Sequence, residues 1–307
     1  MGVRFPGGSA VALYRTEGIV LKTRNLGEAD RIVTFYSPDR GKARAVARGA
    51  RRPRSRFVSS TQMFAHADFL VFSGKSLDNI SQVEVKTSFP RLHDDLVKLA
   101  FASYAAELLD AMAEEGGGAD GGDEGSAEVF GLLLSYLHAL SAARDPEMTT
   151  RAFEIKLASI LGYRPVLESC ARCGAADAGG EVGFDPGAGG LVCTRCMAAQ
   201  GGAAVRLSRG AVEVLKKLLA LDFDRVSRLG ASPGLRAEME RAMRVHLDFR
   251  LGRKLQSLGF LAAVRVAPGQ GQGEGPQVPG GGLHECARQG QGGAEHADRL
   301  GEGGHNP

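Results

Sequence analysis

Four of the five cysteines in this 307-residue chain stand in two C-x-x-C pairs, Cys170 with Cys173 and Cys193 with Cys196, 19 residues apart. Four thiolates at this spacing can surround a tetrahedral Zn²⁺, as in a zinc ribbon or a related knuckle. Gly174 directly follows the first pair, which suits the tight turn that aims two sulfurs at one metal. A closed four-sulfur site leaves no position for a reacting water, so one structural zinc per chain is the expectation. Redox chemistry of the thioredoxin kind would use a single C-x-x-C beside a βαβ unit. Metal ligation in a reducing cytosol fits the pairs better than a disulfide framework.

A second chemistry is the neutralisation of phosphate. From Arg31 to Arg56 the chain reads as two short strand-like runs joined by Pro38-Asp39-Arg40-Gly41, then an arginine-rich arm. Pro presets φ, Asp bonds locally and Gly accepts φ > 0, so a hairpin is the economical reading. In its second run, stride two places Lys42, Arg44 and Arg48 on one face and Ala43, Ala45 and Ala47 on the other. Arg51, Arg52, Arg54 and Arg56 follow around Pro53, which disfavours both helix and central strand and predicts a mobile basic loop. Lys22 and Arg24 extend the basic surface.

The first 60 residues hold 13 Lys and Arg against 4 Asp and Glu, so the remainder is net negative in a chain of net charge +3. Such polarity points to a polyanionic partner. Phe35, Tyr36 and Phe57 are candidate stacking platforms for bases, although a place in the core is the stronger expectation for each. Glu28 and Asp30 are expected to orient Arg24 or Arg31.

Several enzyme classes lack their signatures. The chain has no Walker loop, no His-Glu-x-x-His, no Gly-x-Ser-x-Gly and no deaminase His-x-Glu with Pro-Cys-x-x-Cys. A metal-dependent nuclease would need convergent carboxylates, and the basic segment offers few. His93-Asp94-Asp95 are adjacent and diverge on a helix, so they do not form a metal cluster. Gly269, Gly271 and Gly273 precede no helix and read as part of a disordered tail that also carries His284, Cys286, His296 and His305. No stretch approaches ~20 apolar residues. The N-terminus lacks the apolar core of a secretory signal, so a cytoplasmic protein is expected.

These chemistries need elements to hold them. Ile19–Leu21, Ile32–Tyr36, Ala43–Ala47, Phe69–Phe72 and Ile80–Val85 are short strand-like runs separated by turn residues. Five strands with a basic arm between the third and fourth suggest a closed barrel of the oligonucleotide-binding (OB) type, with an SH3-like barrel as the competitor. After Pro90 the period becomes helical, with Asp94-Asp95 expected in a first turn. A Gly- and acid-rich connector from Glu114 to Ser126 interrupts it. Helical patterns resume over 127–142, 149–161, 208–221 and 234–258, and Gly162 and Ser208 serve as stop and cap. His246 is expected to be packed rather than ligating. The predicted organisation is a lead-in and barrel over residues 1–87, a helical domain over 88–266 with the four-cysteine insertion at 168–203, and the tail from 267 to 307.

Assembled, these stretches resemble a known family. Gly18-Ile-Val-Leu21, Leu26-Gly-Glu-Ala-Asp-Arg-Ile-Val33, Gly41-Lys42, Ala47-Arg-Gly-Ala-Arg-Arg52 and Ser55-Arg56 resemble the N-terminal signature of RecO, the bacterial recombinational-repair mediator. Phe153-Glu154, Leu161-Gly-Tyr-Arg-Pro165 and the cysteine pairs match its later pattern, so the resemblance spans roughly residues 14 to 262. It implies an N-terminal OB barrel, a helical second domain and a zinc-binding insertion. It also implies ATP-independent binding of single- and double-stranded DNA, annealing of complementary strands, and cooperation with RecR to load RecA onto DNA coated by single-strand-binding protein (SSB). The C-terminal tail of SSB is an implied contact. Under this reading the protein is not an enzyme. Its expected DNA ligands are Lys22, Arg24, Lys42, Arg44, Arg48, Arg51, Arg52, Arg54 and Arg56, and its expected metal ligands are Cys170, Cys173, Cys193 and Cys196.

Overall fold

A computed structural model describes residues 12–74, 76–114, 125–176, 182–199 and 204–266. Expectations for the tail, including its histidines and Cys286, and for most of the acidic connector fall outside the described residues.

Strands β1 (Leu13–Leu26), β2 (Asp30–Ser37), β3 (Gly41–Ala47), β4 (His66–Phe72) and β5 (Asp78–Thr87) close a barrel in the order β1-β2-β3-β5-β4. The β3–β5 pair is parallel and the other four are antiparallel. β1 is the longest strand because it serves two partners. Its first half pairs with β4, its second half with β2, and a bulge between Val20 and Lys22 turns it from one to the other. Gly18 makes the interior possible, since a Cβ there would sit 2.7 Å from the Phe35 ring. Phe35 stacks on Phe69 at 4.6 Å between centroids. The hairpin turn before β3 uses Gly41 at φ +63°, as its sequence requires.

Phe35, Tyr36 and Phe57 are only 0 %, 4 % and 5 % exposed. None can offer a ring face to a base, so the stacking role is removed and the core placement stands.

Nine helices follow among the described residues: α1 (Pro90–His93), α2 (Leu96–Met112), α3 (Ser126–Ala142), α4 (Pro146–Ile160), α5 (Thr194–Ala198), α6 (Arg209–Ala220), α7 (Phe223–Val226), α8 (Pro233–Leu251) and α9 (Ser257–Val266). Two boundaries differ from the sequence reading. Asp94 and Asp95 do not share a first turn, because Asp94 is the C-cap of α1 and Asp95 the N-cap of α2. Asp95 caps α2, its carboxylate accepting from the Val97 and Lys98 amides at 2.9 and 3.1 Å. The pattern read as continuous over 234–258 is cut at Gly252, which takes φ +62° and ends α8. Gly162 at φ +82° and the Ser208 cap on Ala211 occur as expected.

The barrel and the helices share one hydrophobic core. Ile19, Leu21, Tyr36 and Phe64 belong to the same buried cluster as Leu92, Leu108, Leu133 and Tyr136. The cysteine insertion contributes β6 (Val182–Asp185) and β7 (Gly190–Val192), which with β8 (Val205–Leu207) just beyond it make a three-stranded sheet in the order β7-β6-β8. Val182, Phe184, Leu191 and Leu207 join the main core. Cys170, Val192, Cys193 and Met197 form a small separate one.

His246 is fully buried on α8 with its Nε2 2.8 Å from the Tyr163 carbonyl. A carbonyl only accepts, so Nε2 carries the proton and Nδ1 is left without a partner among the described residues. Burial holds the imidazole below its ordinary pKa. Below pH ~6.5 the unfolded chain takes up a proton that the folded chain refuses, so stability should fall as pH drops through the window down to the folded value. Thermal melts at successive pH values should show this loss, and His246→Gln should reduce its slope.

Candidate nucleic-acid interface and metal centre

The arginine arm is an ordered run of turns rather than the mobile loop expected. Its amides at Arg52, Ser55, Val58 and Gln62 each bond three residues back, to Gly49, Arg52, Ser55 and Ser59. Two side chains anchor it, since Ala50 and Phe57 enter the barrel core. Two contacts tie its start to the β1–β2 turn. The Arg51 amide donates to the Ala29 carbonyl at 2.9 Å, and the Arg51 guanidinium donates to the Gly27 carbonyl at 2.7 Å. Asp30 accepts from the Gly49 amide at 2.7 Å. Its role is therefore to hold the arm, not to orient Arg24 or Arg31 as expected. Arg31 instead reaches Thr61 at 3.3 Å, and Glu28 is exposed.

This scaffold leaves Arg24, Arg48, Arg51, Arg52, Arg54 and Arg56 exposed, along with Arg44 on β3. Arg48 donates to Asn79 at 3.1 Å and Arg56 to the Ser81 carbonyl at 2.7 Å, which fixes both stems against β5. Each contact uses part of a guanidinium with five N–H donors, and both residues remain exposed. Arg24, Arg52 and Arg54 have no hydrogen-bond or ion-pair partner among the described residues. The arginines thus run from the β1–β2 turn across the end of β3 to the start of β5. OB barrels bind oligonucleotides over this region.

Lys22 and Lys42 stand apart from that group. Both ammonium groups turn to Asp110 on α2. Lys22 pairs with its carboxylate, and Lys42 donates to its carbonyl at 2.7 Å with a carboxylate oxygen at 3.9 Å. The Lys42 side chain is only 10 % exposed, and burial holds its pKa below the ordinary lysine value despite Asp110. The stride-two face is thus divided, because α2 covers its Lys42 end. Asp110 was invisible to the sequence reading, since it lies 68 residues from Lys42 within a helical run that bears no motif. Asp110→Asn should leave the two lysines short of a counter-charge. A loss of about 1–3 kcal/mol in urea unfolding is expected, below the usual value for a buried pair because Lys22 is partly solvated.

A cleft of about 840 Å³ lies elsewhere, among α3, α4 and α7. Glu128, Asp222 and Asp224 against Lys156 give it an acidic rim that does not suit phosphate.

The four cysteines converge as their spacing predicts. Their sulfurs all lie within 4.8 Å of one another, and Cys173 Sγ is 3.8 Å from Cys193 Sγ. A tetrahedron with ~2.3 Å metal–sulfur bonds has edges of about 3.8 Å, so the set fits Zn²⁺. Gly174, at φ +75°, returns its amide to the Cys170 carbonyl at 2.8 Å and closes the first knuckle. The second pair is placed differently, with Cys193 at the N-cap of α5 and Cys196 within it. Burial raises the Cys170 pKa, but the amides of Cys193, Cys173 and Arg172 outweigh it and bring the thiol down to about 6. Cys196 is pushed up to about 12 by its contacts with the Cys193 and Cys173 sulfurs. Loading should therefore release protons, and bound metal should be lost on acidification.

Comparison with known proteins matches both halves of the chain. The family described as Recombination protein O N terminal matches residues 11–89, and Recombination protein O C terminal matches residues 93–259. The chain belongs to the RecO family. Among its relatives, DNA repair protein RecO of Symbiobacterium thermophilum is 44 % identical over 260 residues, covering 84 % of this chain and 100 % of the relative. That of Pelotomaculum thermopropionicum is 39 % identical over 256 residues, covering 83 % and 96 %. RecO proteins act in DNA repair, which accords with a five-stranded barrel, a helical region and a four-cysteine cluster that could hold a metal. No helix among the described residues is long and apolar enough to cross a membrane.

Proposed function

We propose that this RecO family member is a non-catalytic, cytoplasmic and nucleoid-associated recombination mediator. It binds single- and double-stranded DNA and anneals complementary strands without ATP. With RecR it helps load RecA onto SSB-coated DNA, contacting the SSB C-terminal tail. A zinc ion bound by Cys170, Cys173, Cys193 and Cys196 stabilises the insertion. The observation that carries the reading is the row of exposed arginines, Arg24, Arg48, Arg51, Arg52, Arg54 and Arg56, on the OB barrel and its arm, with the Arg51 and Arg56 guanidinium groups held by main-chain carbonyls. Arg44 extends this surface; Lys22 and Lys42 would join it only if released from Asp110.

Guanidinium groups held along one path neutralise phosphates whose mutual repulsion opposes the meeting of two strands. Base pairing then supplies the free energy, and no fuel is needed. The test is annealing of two complementary labelled oligonucleotides without nucleotide, in the presence and absence of SSB. Acceleration that persists on SSB-coated strands is the expected result. Tight binding with no acceleration would leave a protein-docking scaffold with incidental DNA affinity.

A further inference from the structure

A second cluster, far along the sequence from the arginine arm, combines exposed rings with a cation. Phe249, near the end of α8, is 58 % exposed and Tyr163, just after α4, is 39 % exposed. The Arg250 guanidinium lies 5.3 Å from the Tyr163 ring centroid and 5.4 Å from that of Phe249, within cation–π range of both. Arg164 is exposed beside Tyr163, and its contact with exposed Glu168 at 3.4 Å is of the kind that exchanges readily for another anion.

The cluster is held rigidly from three sides. The Tyr163 amide donates to the Ala158 carbonyl at 2.7 Å, while its carbonyl accepts from His246, one turn before Phe249 on α8. The β6–β7 turn forms the third wall. There Val166 donates to the Gly189 carbonyl at 3.0 Å, and Leu191 to the Val166 carbonyl at 2.8 Å. Gly190 is needed for that approach, because a Cβ would lie 2.4 Å from the Val166 oxygen. Gly187 and Gly189 bring bare backbone toward Phe249 and Arg250, where a Cβ would stand 3.9 and 3.5 Å away. Two large exposed rings beside arginines, on a backbone already fixed, suit planar ligands that carry negative charge.

We propose that Tyr163, Phe249 and Arg250 form a second contact for nucleic acid, a stacking platform for the unpaired bases of single-stranded DNA. The inference rests on the DNA-binding reading above and deepens it. Annealing requires two strands to be held at once, and a platform for bare bases distinct from the arginine row would engage one strand while the barrel engages the other. It also gives the cysteine insertion a task, since the insertion positions the β6–β7 turn that walls the platform.

The chain contains no tryptophan, so Phe249→Trp introduces a unique fluorophore. Oligo(dT) should quench its emission and a blunt duplex should not. Phe249→Ala and Tyr163→Leu should each weaken oligo(dT) binding about five- to tenfold, the lower part of the range for losing a stacked base. Duplex affinity and the salt slope should stay unchanged, because no phosphate contact is removed. Both side chains are exposed, and a melting curve for each variant checks the fold. Absence of quenching together with unchanged oligo(dT) affinity would overturn the platform. So would variants that bind oligo(dT) normally but no longer capture RecR or the SSB tail, since the patch would then be a protein contact. Failure of the broader reading would look different, because the unsubstituted protein would then lack salt-dependent DNA binding altogether.

Discussion

Stripping the metal, or changing Cys170 to Ser, is expected to destabilise this protein more than any surface substitution. Elemental analysis of the purified chain should find about one zinc per molecule. Among the described residues, the separate buried core around the cysteines consists of Cys170, Val192, Cys193 and Met197. Structural zinc sites supply ~10–16 kcal/mol of apparent binding energy at neutral pH, well above what four small side chains contribute by burial. Cys170 is the ligand to change because it is buried and its sulfur also accepts from the Cys193 amide at 3.3 Å. The inner strands, tied to the main core through Phe184 and Leu207, should keep the helical part folded, so the first loss should be local. A proteolytic nick between 170 and 205 at temperatures where the loaded protein resists is the sharper readout. A metal-free protein of equal stability and protease resistance would refute the zinc assignment.

The second large effect belongs to the arm. Replacing Arg51, Arg52, Arg54 and Arg56 by Gln removes up to four phosphate contacts. At ~0.7–0.9 per contact, the slope of log K against log salt should flatten by about 3 units. Near 50 mM salt this corresponds to an affinity loss on the order of 10³- to 10⁴-fold, shrinking as salt rises. The loss should be uniform across sequences, because contacts to phosphate carry no sequence information. The fold should survive. The arm's anchors are Ala50, Phe57, Asp30 and main-chain amides, and the guanidinium contacts of Arg51 and Arg56 lie at the exposed surface. An unchanged slope would sink the arm as a DNA contact.

What could be read from the sequence followed the range of each interaction. Strand runs and the Pro-Asp-Arg-Gly turn are local, and all five barrel strands lie where alternation and turn residues put them. The full length of β1 was not legible, because Glu17 and Gly18 interrupt its apolar run. Only the packed Phe35–Phe69 pair shows why a glycine belongs inside it. The cysteines were legible because metal geometry imposes spacing on sequence. Lys42 was misread, since alternation reports which side of a strand a residue faces and not what covers that side. The helical break at Gly252 was hidden by leucines at 251, 255 and 258 that continue the apolar period through it. Tyr163 and Phe249 are 86 positions apart, and nothing local announces that one guanidinium, that of Arg250, reaches both rings.

The core shared between barrel and helices also bears on how the chain is made. The last barrel strand ends at Thr87, yet Ile19, Leu21, Tyr36 and Phe64 are covered by residues of α1, α2 and α3, the last of which ends at Ala142. On a ribosome adding ~5–20 residues per second, a closed barrel would wait roughly 3–11 seconds with an apolar flank bare. That interval is a window for a chaperone, and for misassembly between nascent chains on one message. Slowing translation over codons 88–142 should lower the soluble yield of a protein whose finished form is unchanged.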